Sequence, residues 1–174
     1  MYLISAYFDE QTNRILQGYI DAVVAATGND FMTAHRVPPH MTIGAVEARS
    51  QDVLMPSFME YLGAIDSGVV EFVSIGQLMP QVIYAQPYLN EYLMDLSVKS
   101  YESFKDIPET SISSRYQPYQ WLPHVTLGKT LTKEQLLKAV EATCDFAPFT
   151  GRITSMGIAR VNAGFDERYE LTSN

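Results

Sequence analysis

Two short stretches constrain this chain more than any other feature. Pro39-His40-Met41-Thr42-Ile43-Gly44 and Pro123-His124-Val125-Thr126-Leu127-Gly128 repeat one pattern: proline, histidine, apolar, threonine, apolar, glycine. Together they use two of the three histidines in the chain. Alternation of polar and apolar residues reads as a half-buried strand, and a residue before proline is pushed toward extended backbone. Each phrase is therefore expected to be a strand. Successive strand side chains alternate faces, so His40, Thr42 and Gly44 are predicted on one face and Met41 and Ile43 on the other. His124, Thr126 and Gly128 divide from Val125 and Leu127 in the same way. The glycine would let a ligand approach the backbone closely.

Two imidazoles facing each other suit a displacement in which one proton is removed and another donated. Unperturbed histidine, near pKa 6.5, does either at neutral pH, and each transfer contributes roughly 10²–10⁴-fold. Two threonine hydroxyls can donate hydrogen bonds to charged phosphate oxygens, each worth about 1.5–3 kcal/mol. The constellation describes phosphodiester chemistry that needs neither metal nor cofactor.

The rest of the chain supplies a frame that repeats. Tyr2 to Phe8 reads as a strand. Leu16, Tyr19, Ile20, Val23 and Val24 fall on one face of a helix stopped by Gly28. Phe31 to Arg36 is expected to be a short strand leading through Val37-Pro38-Pro39 into the first motif. Leu54, Phe58, Tyr61, Leu62 and Ile65 make a second helix with Pro56 in its first turn. Val69 to Met79 and Gln81 to Tyr88 read as a hairpin turning at Pro80, and a third helix spans about 90–104. Asp106 to Gln120 is a loop near the site. Thr132 followed by Gln135 is a capping-box signature for a fourth helix with Leu136, Leu137, Val140 and Cys144 on its apolar face. Gly151 to Val161 and Arg168 to Thr172 close the chain as strands. Adjacent strand pairs argue for an α+β fold of antiparallel sheets rather than a doubly wound parallel one. The repeated order argues for two pseudo-symmetric lobes.

The formal charge of −8 works against anionic membranes and long phosphate backbones. Extended nucleic-acid binding and membrane association are therefore not expected. A nucleotide or a single RNA terminus needs only a few local donors. The lone cysteine, Cys144, cannot form an internal disulfide or a zinc cluster and is expected to be an inert core thiol. The first apolar run is too short for a leader. A cytoplasmic monomer is expected.

The paired His-apolar-Thr-apolar phrases resemble the 2H phosphoesterase superfamily, which includes bacterial 2′-5′ RNA ligases and RNA cyclic phosphodiesterases. The helix and strand order is similar too. The resemblance implies one bilobal domain over residues 1–174, with helices outside and both motif strands on the walls of a central cleft. It implies His40 and His124 as general base and general acid, in an order the sequence leaves open, with Thr42 and Thr126 holding the phosphate. The implied reaction is hydrolysis of a 2′,3′-cyclic phosphate or a 2′,5′ phosphodiester. A non-catalytic RNA-end or nucleotide binding module and a 2′-5′ RNA ligase are the alternatives.

Outside the motifs, Arg36 and Arg115 are candidates to pair with phosphate, and Tyr116, Tyr119 and Trp121 to stack on a base. Each is equally consistent with a solvated or packed side chain. Lys129 falls on the opposite strand face from His124 unless the strand bulges after Gly128. His35, outside either motif, is expected to be a surface residue.

Overall fold

The structure is a computed structural model and describes residues 1–78, 80–161 and 167–173. Its strands are β1 (Tyr2–Phe8), β2 (Met41–Glu47), β3 (Gly68–Leu78), β4 (Val82–Pro87), β5 (Ser111–Ile112), β6 (Val125–Gly128), β7 (Phe149–Arg160) and β8 (Glu167–Glu170). Its helices are α1 (Glu10–Thr27), α2 (Phe31–Ala34), α3 (Met55–Gly63), α4 (Glu91–Phe104) and α5 (Lys133–Ala142). All recorded strand pairings are antiparallel, so the fold is α+β as expected. One arm of the sheet runs β2-β1-β7-β8 and the other β6-β4-β3-β7, with the short β5 added beside β2. The long β7 joins the arms at one end, and a single pair between β2 and β6 joins them at the other.

Local signals set most boundaries. Asp9 caps α1 by accepting from the Thr12 N–H at 2.7 Å, and Gly28 ends the helix at φ 69°, which costs glycine nothing. Asn90 caps α4 in the same manner, through the Leu93 N–H. Thr132 and Gln135 complete both halves of the predicted capping box on α5. Pro56 occupies the first turn of α3, where its missing N–H has no helical partner to lose.

Two local expectations fail. Phe31–Ala34 is a turn of helix rather than a strand. The Asn29 side chain accepts from the Phe31 N–H, and the Phe31 and His35 rings stack four residues apart with centroids 4.4 Å apart, so local contacts override β propensity. On α5 the buried stripe runs through Leu136, Ala139 and Thr143, not through Leu137 and Cys144, which are exposed. One residue turns the helix by about 100°, which carries Leu137 off the stripe. Cys144 is therefore not a core thiol. Met79, the expected end of the first hairpin strand, lies outside the described residues.

The core lies between the sheet and two helix pairs. Helices α1 and α5 cover β4, β6 and the start of β7, while α3 and α4 pack on each other, with α4 against β2 and β3. Phe58, Tyr61, Phe72 and Phe104 are fully buried there, each side chain worth about 1.5–3 kcal/mol by area removed from water. With helices on the outer faces, the opposite face near the β2–β6 contact is left for polar side chains.

Candidate active site

Both motifs carry the same histidine device. His40 Nδ1 lies 2.9 Å from the carbonyl oxygen of Pro38, and His124 Nδ1 lies 2.8 Å from that of Leu122. A carbonyl only accepts, so Nδ1 carries the proton in each ring and Nε2 is left for chemistry. Each bond reaches back two residues across a buried proline, Pro39 or Pro123, whose ring fixes φ near −65° and turns the chain so that the bond can close.

Met41 of β2 pairs with Val125 of β6. Continuing that register by one residue sets Thr42 across from His124 and His40 across from Thr126, all on the face opposite Met41 and Val125. The two histidines are then diagonal neighbours, a relationship that spaces residues about 7–8 Å apart and their β carbons somewhat less. Their charges interact: His124 is among the groups that hold the His40 pKa down.

Each motif strand bulges at the same place. Ile4 pairs with Gly44 and Ser5 with Thr42, leaving Ile43 as an extra residue. Ile83 pairs with Gly128 and Tyr84 with Thr126, leaving Leu127 extra. A bulge shifts the alternation of faces by one, which corrects two expectations. Gly44 and Gly128 do not share the histidine face. A β carbon on Gly44 would sit 2.8 Å from Ser100 Oγ of α4, and one on Gly128 would sit 2.9 Å from Val23 Cγ1 of α1. The glycines allow helices, not a ligand, to approach. Lys129 gains what they lose, since the bulge precedes Gly128 and turns Lys129 toward His40, on which its charge acts. Its ammonium also lies 5.6 Å from the centre of the Phe31 ring.

The walls of the site are aromatic. The Tyr7 ring stands 6.2 Å from that of His40, and the Tyr84 ring meets His124 edge-on at 5.2 Å. Thr42 is held from the loop after β5. The Tyr116 phenol is hydrogen-bonded to it, and the Trp121 indole N–H donates to its backbone carbonyl at 2.9 Å. Trp121 is 6% exposed, so it is a buried anchor rather than a stacking platform.

Burial disfavours the charged form of both imidazoles and pushes both pKa values below 6.5; the backbone carbonyl bonds oppose this only in part. The charged groups acting on His40 are His124, Arg168 and Lys129, so nearby cations lower it further. Desolvation alone lowers His124.

The two His-x-Thr pairs thus converge, with Trp121 beneath Thr42. Arg115 is exposed on the short 3-10 turn Ser114–Tyr116, beside Tyr116. Arg36 is exposed in the first approach loop at φ 51°, and Tyr119 is 87% exposed at φ 65°. Neither is drawn into the cluster by a recorded contact. His35 is exposed, as expected. Tyr7, Tyr84 and Arg168 were not legible as site residues. Each lies on a neighbouring strand, and only cross-strand register brings it to the histidines.

No protein-family model matches the sequence, and no curated protein matches it. Solved structures do match in shape. TT0787 of Thermus thermophilus superposes with a TM-score of 0.62 at 12% identity, over 99% of this chain and 98% of that one. Escherichia coli LigT, crystallised with 3′-AMP, gives 0.61 at 13% identity over 99% and 98%. Usb1 of Kluyveromyces marxianus gives 0.52 at 13% over 98% and 97%. The chain therefore shares the fold of these proteins along its whole length. Among the described residues, no helix is long and apolar enough to cross a membrane.

Proposed function

We propose that this chain is a metal-independent phosphodiesterase that hydrolyses a 2′,3′-cyclic phosphate or 2′,5′ phosphodiester on a nucleotide or RNA end. It would work as one bilobal cytoplasmic unit. The observation that carries the reading is the Met41–Val125 pair, which supports a single site holding both histidines and both threonines. The 3′-AMP bound by the similarly folded LigT favours a nucleotide as substrate.

In this reading, His40 Nε2 takes a proton from water as the water oxygen attacks phosphorus. The bond from phosphorus to one ribose oxygen breaks, and that oxygen takes the proton on His124 Nε2. The Lys129 and Arg168 cations disfavour a charged His40, which supports His40 as the neutral base. Thr42 and Thr126 donate to the non-bridging oxygens as charge builds on them.

The test is hydrolysis of 2′,3′-cyclic nucleotides and of an oligonucleotide with a cyclic-phosphate end, in EDTA, by wild type, His40→Ala and His124→Ala. Chelation-resistant turnover that falls by about 10²–10⁴-fold in each variant is expected. Turnover that survives in the doubly substituted protein would overturn the mechanism.

A further inference from the structure

We propose that Gln86 is a base-reading residue, whose carboxamide hydrogen-bonds the nucleobase of the nucleotide held at His124. The inference rests on the hydrolytic reading above and specifies how the substrate is recognised beyond its phosphate.

Register places the residue. Ala85 of β4 pairs with Val125 of β6, and Gln86 pairs with Ser74 of β3. The one-residue step that sets Thr42 across from His124 on one side of β6 sets Gln86 across from His124 on the other. Thr42, His124, Gln86 and Ser74 then form one row across β2, β6, β4 and β3. Paired residues in antiparallel strands share a face, with β carbons about 4.5–5.5 Å apart. The other residues of β4 support the assignment. Ile83 and Ala85 are fully buried in the hydrophobic core, whereas Tyr84 is buried outside it, against His124. Gln86 stands two residues from Tyr84 and so lies on the same, cleft-facing side.

His40 has a different neighbour. Ala6 pairs with Met41, and the same step sets Tyr7 across from His40. Tyr7 and Gln86 therefore hold equivalent places in the two arms, and the pseudo-symmetry breaks there: a ring stands beside one histidine and an amide beside the other. The Gln86 side chain is half-buried, and its amide makes no hydrogen bond among the described residues.

The surroundings of that amide are polar without charge. Strands β4 and β3 bring Tyr84, Gln86, Ser74 and Gly76 to the cleft face, and Ser74 is exposed. Phosphate is held best by charge-assisted donors, so a neutral wall suits the uncharged part of a nucleotide. In the reaction His124 gives its proton to a ribose oxygen, which places that ribose beside His124 and within reach of the amide across from it. A 2′,3′-cyclic phosphate engages both secondary hydroxyls of the ribose, so the base carries most of the neutral hydrogen-bonding groups that remain. A carboxamide offers a donor and an acceptor side by side and matches a base edge with both.

Two sets of probes test this. Calorimetric binding is compared for adenosine, guanosine, cytidine and uridine 3′-monophosphates and for inorganic phosphate, which needs only the histidines and threonines. Turnover, as kcat/KM, is compared for the 2′,3′-cyclic phosphates of the same nucleosides. Wild type is expected to favour one base over the least favoured by about tenfold in both sets. Gln86→Leu should flatten that preference while leaving the affinity for inorganic phosphate unchanged, which also shows that the variant is folded. Gln86→Glu keeps the shape but exchanges the donor for an acceptor, and should change which base is favoured. No base preference in wild type, the same preference in both variants, or a loss in Gln86→Leu that is equal for every base or matched by inorganic phosphate would overturn the base contact. Absence of turnover with every cyclic nucleotide would instead count against the hydrolytic reading, and the binding set would still decide the role of Gln86.

Discussion

The indole of Trp121 donates its N–H to the backbone carbonyl of Thr42 across 2.9 Å, tying the loop before β6 to the strand of the other motif. The two motifs are thus joined twice, by the Met41–Val125 pair and by this bond. A buried carbonyl that loses its partner costs about 1–3 kcal/mol. Trp121→Phe keeps an aromatic ring but removes the donor, so the melting temperature should fall by several degrees, with turnover reduced because Thr42 is less firmly held. Thermal unfolding and steady-state kinetics on the same preparation check this; an unchanged melting point would show that the bond carries no stability.

Thr42 and Thr126 are related by the pseudo-twofold arrangement but are not supported equally. Replacing either with valine removes a hydroxyl donor to charged phosphate oxygens, worth about 1.5–3 kcal/mol, or roughly 10- to 150-fold in kcat/KM. Thr42→Val also strands the Tyr116 phenol that bonds it. The loss should therefore be greater at Thr42 than at Thr126. Equal losses would argue that Tyr116 does not assist.

The pH dependence follows from two lowered imidazoles. His40 must be neutral to act as base, so activity fails only below its depressed pKa; His124 must be protonated to act as acid, so activity declines above its own. Both values lie under 6.5, and kcat/KM should peak on the acid side of that value. Bound phosphate favours both protonated rings, so the kcat profile should lie at higher pH. Folding responds with a fixed sign. The unfolded histidines take up protons near pH 6.5 while the folded ones stay neutral, so stability falls as pH drops through the ordinary histidine range. A kcat/KM maximum above about pH 7.5 would contradict the assignment.

The repeated phrase made the two half-sites legible, because histidine and threonine two apart on a strand must share a face whatever surrounds them. Two helix ends were legible for a similar reason: Gly28 and Thr132 act within four residues of themselves. What escaped depended on register. A bulge leaves no mark in composition, so Gly44 and Gly128 were assigned to the wrong face and Lys129 was left conditional on a bulge placed one step too late. Arg168 reaches the site only through three successive strand pairings, which no local pattern encodes. Trp121 reads equally as a stacking or a packed residue in the sequence; what decides for packing is its bond to Thr42, 79 positions away.

The two motif glycines yield a stability test that separates helix packing from ligand access. If they served a ligand, alanine at either would reduce binding and leave the melting temperature alone. The structure predicts the reverse. At Gly128 the added methyl would meet Val23 Cγ1 at 2.9 Å and Ile83 Cγ2 at 3.2 Å. Both are β-branched side chains with little rotamer freedom, so the helix or strand must move. Overpacking of this kind costs about 1–3 kcal/mol. At Gly44 the close atom is Ser100 Oγ at 2.8 Å, with Ile4 Cδ1 at 3.3 Å, and a serine hydroxyl can rotate away. Gly128→Ala should therefore lower the melting temperature clearly and Gly44→Ala by less, with KM for the cyclic nucleotide little changed in both. The opposite order would mean that Ser100 is locked on α4, and a KM effect without a melting effect would return the glycines to the ligand face.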